Sequence, residues 1–231
     1  MTGSNPVRDA EKTRKIINDD RSRKITVLNP EQIRALLEAT TDQKYHTLFL
    51  LAVMTGARQT EILGLKCSDI NFERKQVNIN RTFNHSPFFA PKTKGSIRTI
   101  DLSQRVIREL AKWKLASQPN ELDLVFARKV GTPIDSSNLI NYHFKPLFKA
   151  AGLPNIRFHD LRHCHASMLL EQGESITYMQ HRLGHSNPAI TLSVYSYFFK
   201  REDQDAVCKL ENTIFEGTGD NLVTIAKKKI L

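Results

Sequence analysis

Apolar positions in the first part of the chain recur at the spacing of an α-helix. Before the first group, Asn29 can cap a helix, Pro30 suits its first turn and Gln32 can complete a capping box. A helix is therefore predicted from about residue 30. Its predicted apolar face consists of Ile33, Leu36 and Leu37.

A second helix is predicted from about Asp42 to Met54. Gly56 follows it and can end it, because glycine adopts the left-handed conformation common after helix C-termini. Its predicted buried residues are Leu48, Leu51, Ala52 and Val53. A short helical turn carrying Glu61 and Ile62 is expected next.

The spacing of the apolar residues then changes from that of an α-helix to the two-residue alternation of a β-strand. Val77, Ile79 and Phe83 alternate with polar residues, which predicts one strand from about 75 to 83. The same alternation returns from Arg98 to Leu102. The segment between them is rich in proline, glycine and lysine, so a basic hairpin or small sheet is predicted.

Helical patterns dominate the rest of the chain. Ser103 can cap a helix. Further helices are predicted after Ser136, Ser137 and Asn138, ending at Gly152; after Phe158, ending at Gly173; and after Ser175, ending near Gly184. The predicted fold class is mainly α with a small antiparallel β-sheet, an α+β domain.

Composition and charge narrow the class of partner. The 231 residues include 34 Lys and Arg against 24 Asp and Glu, a net charge of +10, which favours a polyanionic partner such as nucleic acid. Apolar runs fall short of the roughly 18 residues that a membrane helix needs. The first residues do not resemble a secretory signal, so a cytoplasmic protein is expected. Its three cysteines lack CxxC spacing and predict free thiols rather than disulfides or a zinc site.

The predicted organisation has three parts. Residues 1–24 are polar and charged and are expected to be a flexible leader or linker, while residues 25–200 form the domain. Residues 201–231 form a tail with an amphipathic helix. Its apolar residues are Ala206, Val207, Leu210, Ile214 and Phe215.

Three separated segments carry residues suited to chemistry on a phosphate. They are Thr55 to Arg58, His159 to His163, and Leu183 to His185 followed ten residues later by Tyr195. Each segment alone is weak evidence, because an isolated Arg is most often a surface charge and an isolated Tyr most often packs in a core. Their order and spacing are more specific.

In order, the chain reads TGARQTE, PKTKGSIRTI, HDLRH, LGHS and TLSVYS. Over about Val27 to Lys200 it resembles the tyrosine recombinase (phage integrase) family, whose members include integrases of phages and mobile elements. The resemblance implies the tyrosine recombinase catalytic-domain fold. It also implies cleavage and rejoining of double-stranded DNA through a covalent 3′-phosphotyrosine, with no metal, ATP or other cofactor.

Residue chemistry supports the same activity. Arg58 and Arg162 are permanently charged donors that can bind a phosphate as its negative charge grows. The resemblance assigns Tyr195 as nucleophile, with Tyr197 as its main competitor. It gives His159 a part in proton transfer or phosphate binding, and gives His185 a hydrogen bond to the phosphate.

Two further assignments follow from the resemblance. The general acid for the leaving 5′ hydroxyl is a hairpin lysine, for which Lys92 is favoured over Lys94. Glu61 is expected to orient a histidine or an arginine, the alternative being a carboxylate on a helix surface.

Two other functions remain open. His159 and His163 have the i, i+4 spacing of an HExxH zinc protease, although Asp160 replaces the required Glu. A DNA-binding regulator that has lost cleavage would fit the basic charge equally well.

The resemblance also concerns assembly. Family members carry a helical core-binding domain ahead of the catalytic one, so the chain is expected to be a catalytic-domain fragment. The full-length protein is expected to act as a tetramer on DNA. The tail helix would then pack on a neighbouring protomer, or alternatively close its own core.

Overall fold

The computed structural model of the protein describes residues 26–83, 88–89, 97–185 and 203–215, with only the backbone for 88–89, 203–206 and 209. The helices are α1 Pro30–Glu38, α2 Gln43–Thr55, α3 Gln59–Leu63, α4 Gln104–Ala116, α5 Ser136–Asn138, α6 Lys145–Ala150, α7 Asp160–Glu171, α8 Ile176–Leu183 and α9 Asp203–Phe215. The strands are β1 Ile70–Asn71, β2 Gln76–Ile79, β3 Thr82–Phe83, β4 Phe88–Phe89 and β5 Arg98–Asp101.

Helix α2 is the centre of the domain, and α1, α3, α4 and α7 pack around it. The Asp42 carboxylate caps its first turn by accepting from the backbone N–H groups of Lys44 and Tyr45. Nine of its thirteen residues are buried, which explains why its sequence is apolar on nearly every face. Gly56 ends it in the predicted left-handed conformation.

The three-stranded sheet has the order β1-β2-β5, and both pairings are antiparallel. Val77, Ile79 and Ile100 turn inward and are almost completely buried. Arg98 occupies the same face of β5 as Ile100 and is buried with it. The edge of this sheet therefore places a cation inside the protein.

The prediction of one strand over residues 75–83 is wrong. Strand β2 ends at Ile79, and Thr82–Phe83 instead pairs with Phe88–Phe89 in a separate two-stranded sheet. Between them, the side chains of Asn80 and Arg81 both bind the carboxylate of Asp69. Those contacts turn the chain away from the first sheet.

The helix predicted between Asn138 and Gly152 is less regular than its sequence suggests. Asp135 provides the cap at its start, because the Asp135 carboxylate accepts from the Asn138 backbone N–H at 2.8 Å. A π-helical segment, Leu139–Phe144, then separates α5 from α6. Pro146 accounts for the interruption, because it lacks the N–H that a regular helix needs.

An aromatic cluster joins this irregular helix to the core. The ring of Phe144 lies 5.4 Å from Phe49, 4.8 Å from Phe148 and 5.3 Å from Phe158, measured between centroids. Such tilted and edge-to-face contacts are the preferred geometry for aromatic pairs. Phe158 immediately precedes His159 and α7, so the cluster fixes the start of that helix.

The predicted tail helix forms as α9. Four of its apolar side chains are exposed, at about 60% each, and so they lie outside the core of the described residues. They are Val207, Leu210, Ile214 and Phe215. Cys67, Cys164 and Cys208 are free thiols, as predicted.

The observed architecture confirms the predicted fold class, a mainly helical domain with a small antiparallel sheet. None of the helices in the described residues is long and apolar enough to cross a membrane. In the described residues, helices thus pack around α2, and the sheet lies beside this helical core.

Gly56 and Gly152 provide a test of how tightly the end of α2 is packed. Both have a φ of +64°, but a Cβ on Gly56 would lie 2.7 Å from Leu183 Cδ2, whereas nothing lies within 4 Å at Gly152. Gly152→Ala should cost about 1 kcal/mol of unfolding free energy from backbone strain alone. Gly56→Ala should cost about 3 kcal/mol, because overpacking adds to the strain. Urea unfolding measures both, and equal losses would contradict the packing argument.

Candidate active site

Arg162 is a deeply buried cation at the centre of the candidate site. It lies on α7 and is 3% exposed. Its Nη1 donates to the Gly56 carbonyl at 2.8 Å, and its Nη2 donates to the Leu183 carbonyl at 2.7 Å. Both carbonyls lie at helix C-terminal ends, where partial negative charge accumulates. The ends of α2 and α8 therefore hold this guanidinium in place.

Arg58 lies in the turn between α2 and α3 and points toward the same region. Its Nη1 donates to Glu61 Oε1 at 2.8 Å, and its backbone N–H donates to Glu61 Oε2 at 2.7 Å. Its Nη2 lies 3.4 Å from the Gly184 carbonyl, next to the carbonyl that Arg162 binds. About a third of the side chain, 35%, remains exposed, so it can meet a ligand from solvent.

Glu61 is buried and joins two arginines. In addition to Arg58, it accepts from Arg98 Nη1 at 3.1 Å and from Arg98 Nη2 at 2.9 Å. Burial by itself would raise the pKa of the Glu61 carboxyl, but the hydrogen bonds and charges of Arg98 and Arg58 lower it below its ordinary value. Glu61 is therefore an ionised carboxylate inside the protein rather than a helix-surface group.

Sequence reasoning assigned no role to Arg98. The available signal was its place in the alternation of β5, since Arg98 shares a face with Ile100 and that face is buried. A buried arginine requires a partner, and that partner, Glu61, lies 37 residues earlier in the chain.

His185 follows the left-handed Gly184 at the end of α8. Its backbone N–H donates to the Gln180 carbonyl at 3.1 Å, and its carbonyl accepts from Gln180 Nε2 at 3.2 Å. Burial and the nearby charges of Arg162, Arg58 and Arg98 lower the pKa of His185 to about 4. The imidazole is therefore neutral at pH 7.

His159 caps α7, and its carbonyl accepts from the Arg162 N–H at 3.1 Å. Its ring meets that of His163 edge to face, with 5.0 Å between centroids. Burial lowers the pKa of His159, and the charge of Arg162 lowers it further. This imidazole too is neutral near pH 7.

The structure brings together five of the residues predicted for the site, namely Arg58, Glu61, His159, Arg162 and His185. The predicted nucleophile Tyr195, its competitor Tyr197, and the lysines Lys92 and Lys94 lie outside the described residues.

The contacts of the HDLRH segment do not fit a zinc protease. Asp160, at the position of the general base, accepts from Arg157 Nη2 at 2.7 Å and from the Arg157 N–H at 2.8 Å. A carboxylate that is already bound to Arg157 in this way is not available as a general base. Arg162, within the same segment, brings a buried guanidinium to the place where a metal would need electron donors.

The site as a whole combines three guanidinium groups, one carboxylate and two neutral imidazoles. Its net charge is positive, and its donors converge from the start of α3, from α7 and from the end of α8. Such an arrangement suits an anion that accepts several hydrogen bonds, and a phosphodiester is one.

Comparison with known proteins agrees with this chemistry. Residues 26–201 match the model of the phage integrase family, so the chain belongs to that family. It is 32% identical over 208 residues to a XerC-like tyrosine recombinase of Caldanaerobacter subterraneus, covering 79% of this chain and 53% of the relative. It is 27% identical to the ICEBs1 integrase of Bacillus subtilis, covering 83% and 56%. The predicted family is confirmed.

Solved structures share the fold. The Tn1549 transposon integrase, in complex with a circular intermediate DNA, superposes with a TM-score of 0.74 at 22% identity, covering 84% of this chain and 68% of that one. The XerH site-specific recombinase, bound to a palindromic difH substrate, gives 0.61 at 25% identity, covering 83% and 53%. The chain spans about half the length of the curated relatives it matches.

Buried neutral histidines make the stability of the fold depend on pH. Burial and neighbouring arginines lower the pKa of His165 to about 3, and the pKa values of His163 and His185 are about 4, against 6.5 for an ordinary histidine. Below pH 6.5 the unfolded chain takes up protons that the folded chain does not. Stability should therefore fall as pH falls from about 6.5 to about 4, and His165 alone should contribute about 2 kcal/mol between pH 7 and pH 5.

Urea unfolding at pH 7 and pH 5 measures this loss. His165→Gln should reduce the difference between the two pH values, and His181→Gln, at an exposed position on α8, is the control. Equal pH dependence in all three proteins would contradict the assignment of His165 as a neutral buried group.

Proposed function

We propose that this chain carries out the strand-transfer step of a site-specific DNA recombinase of the integrase type. In this reaction a tyrosine attacks a phosphodiester of double-stranded DNA and forms a 3′-phosphotyrosine, from which the strands are later rejoined. The observation that supports it best is that Arg58 and Arg162 bind adjacent carbonyls, those of Gly184 and Leu183, in the turn that carries His185.

The arginines supply what this chemistry needs most. As the attacking oxygen approaches phosphorus, negative charge grows on the non-bridging oxygens. Arg58 and Arg162 bind those oxygens with permanently charged, planar donors, and their positions are fixed before DNA arrives. Because no reorganisation is needed during the reaction, each donor lowers the barrier more than it would in water.

Tyr195 is the proposed nucleophile. A phenol with an ordinary pKa of about 10 is almost entirely protonated at pH 7, so it must lose its proton as it attacks. His159 is neutral and can accept that proton, while His185 donates a hydrogen bond to the phosphate.

The leaving 5′ oxygen must gain a proton as its bond to phosphorus breaks. We assign this role to Lys92, with Lys94 as the alternative. The Tyr195 oxygen–phosphorus bond forms while the phosphorus–O5′ bond breaks, so one phosphate ester replaces another. Such an exchange is close to reversible and requires neither ATP nor a metal ion.

We further propose that the full-length protein acts in the cytoplasm as a tetramer on DNA. The exposed apolar face of α9 supports packing of the tail helix on a neighbouring protomer. The order in which the four subunits cleave DNA would then depend on which neighbouring tail helix packs on each subunit.

The nucleophile can be tested by covalent trapping on a nicked DNA site. Tyr195→Phe should abolish the covalent protein–DNA adduct, because the attacking oxygen is removed. Tyr197→Phe is the matched control and should retain it. Adduct formation by Tyr195→Phe would exclude Tyr195, and DNA binding without adduct in the unaltered protein would favour a regulator that has lost cleavage.

The phosphate-binding role of Arg58 can be tested with a second arginine, Arg157, as the control. Arg58 and Arg157 both pair with a carboxylate three residues later. Arg58→Lys should slow single-turnover cleavage about a hundredfold, equivalent to about 3 kcal/mol, because a lysine does not bind phosphate through two donors. Arg157→Lys should change the rate less than threefold, and similar losses in both would argue against a phosphate-binding role for Arg58.

A further inference from the structure

Arg98 is a buried cation that lies in the PKTKGSIRTI segment but has no role in the proposed reaction. Its side chain is 1% exposed, and its Nε, Nη1 and Nη2 all donate to other groups of the protein. Its Nη1 and Nη2 bind the two oxygens of Glu61 at 3.1 and 2.9 Å. Those same oxygens bind the side chain and the backbone of Arg58. Arg98 therefore contacts the group that sets the direction of Arg58.

The third nitrogen of Arg98 reaches a different element. Its Nε donates to the Arg182 carbonyl at 2.8 Å, in the last turn of α8. The guanidinium also packs against Gly184, where an added Cβ would lie 2.9 Å from Arg98 Nη1. Gly184 directly precedes His185, so Arg98 supports the turn that carries this histidine.

The carbonyl that Arg98 binds belongs to a residue that is itself held firmly. Arg182 Nε donates to His165 Nε2 at 3.1 Å, and its Nη2 donates to the Met54 carbonyl at 3.0 Å. Arg182 thus joins α8 to α7 and to the end of α2. Its Nη2 also lies 3.4 Å from the Asp101 carbonyl in β5, and Arg98 adds a second link between β5 and α8.

We propose that Arg98 is a positioning residue for strand cleavage, which holds Arg58 through Glu61 and the His185 turn through the Arg182 carbonyl. The proposal rests on the proposed function, since it concerns the same phosphate. Lysine does not replace this arrangement, because a single ammonium lacks the planar fork that binds both carboxylate oxygens while a third nitrogen points elsewhere.

The test compares Arg98→Lys with the unaltered protein in single-turnover cleavage of a nicked DNA site at saturating protein. Arg98→Lys should slow cleavage by about ten- to a hundredfold while DNA affinity changes less than threefold. Because part of the effect of Arg98 passes through Arg58, the double variant with Arg58→Lys should lose less than the product of the two single losses.

Arg81→Lys is the matched control, because Arg81 also pairs with a buried carboxylate, that of Asp69, away from the site. It should cleave within twofold of the unaltered rate. Cleavage by Arg98→Lys at the unaltered rate would overturn the proposal, as would losses that multiply fully in the double variant. A fall in thermal midpoint with an unaltered rate per folded molecule would assign Arg98 a structural role only.

If Arg98→Lys does not fold, the paired variant Glu61→Gln with Arg98→Met removes both charges of the buried pair, while Arg58, whose side chain is 35% exposed, stays in contact with solvent. It should show the slow cleavage, and an unaltered rate would overturn the proposal. Failure of the proposed function is distinguishable, because the unaltered protein would then form no adduct dependent on Tyr195.

Discussion

The site depends on overcoming the repulsion between guanidinium groups that must lie close together before any phosphate is present. Two unit charges about 4 Å apart repel by about 4 kcal/mol at an effective dielectric constant of about 20. Glu61 offsets this for Arg58 and Arg98 by binding both. Arg162 instead binds two backbone carbonyls. The fold thus holds a cationic cluster together with one carboxylate and a few helix ends. Those ends are unusual for a phosphate site, since such sites are commonly built from helix N-termini, whose N–H groups bind the anion directly. Here Gly56 and Gly184 end α2 and α8 in the left-handed conformation, which lets the carbonyls point inward to the arginines that a phosphate would meet.

Much of the fold could be predicted because its signals are local. Asn29, Ser103 and Ser175 cap helices as their sequence context indicates, and Gly56 and Gly184 end them. One of the errors has a distant cause. The strand predicted over residues 75–83 ends early because Asn80 and Arg81 bind Asp69, which lies 11 and 12 residues away from them. Periodicity carries no information about such contacts.

The same distinction applies to the site. Arg58, Arg162 and His185 stand out because each belongs to a short motif. Arg98 also lies in a motif segment, PKTKGSIRTI, but only its contacts with Glu61 and Arg182, which lie far away in sequence, show what it holds in place.

The cationic cluster also sets when the histidines can act. Burial, together with the charges of nearby arginines, lowers the pKa values of His159 and His185, which makes both neutral but also makes them weak bases. A bound phosphodiester brings negative charge into the same region and reduces the field that the histidines experience. Their pKa values should then rise toward the ordinary value. In the proposed mechanism, this rise would make His159 a stronger proton acceptor when DNA is bound.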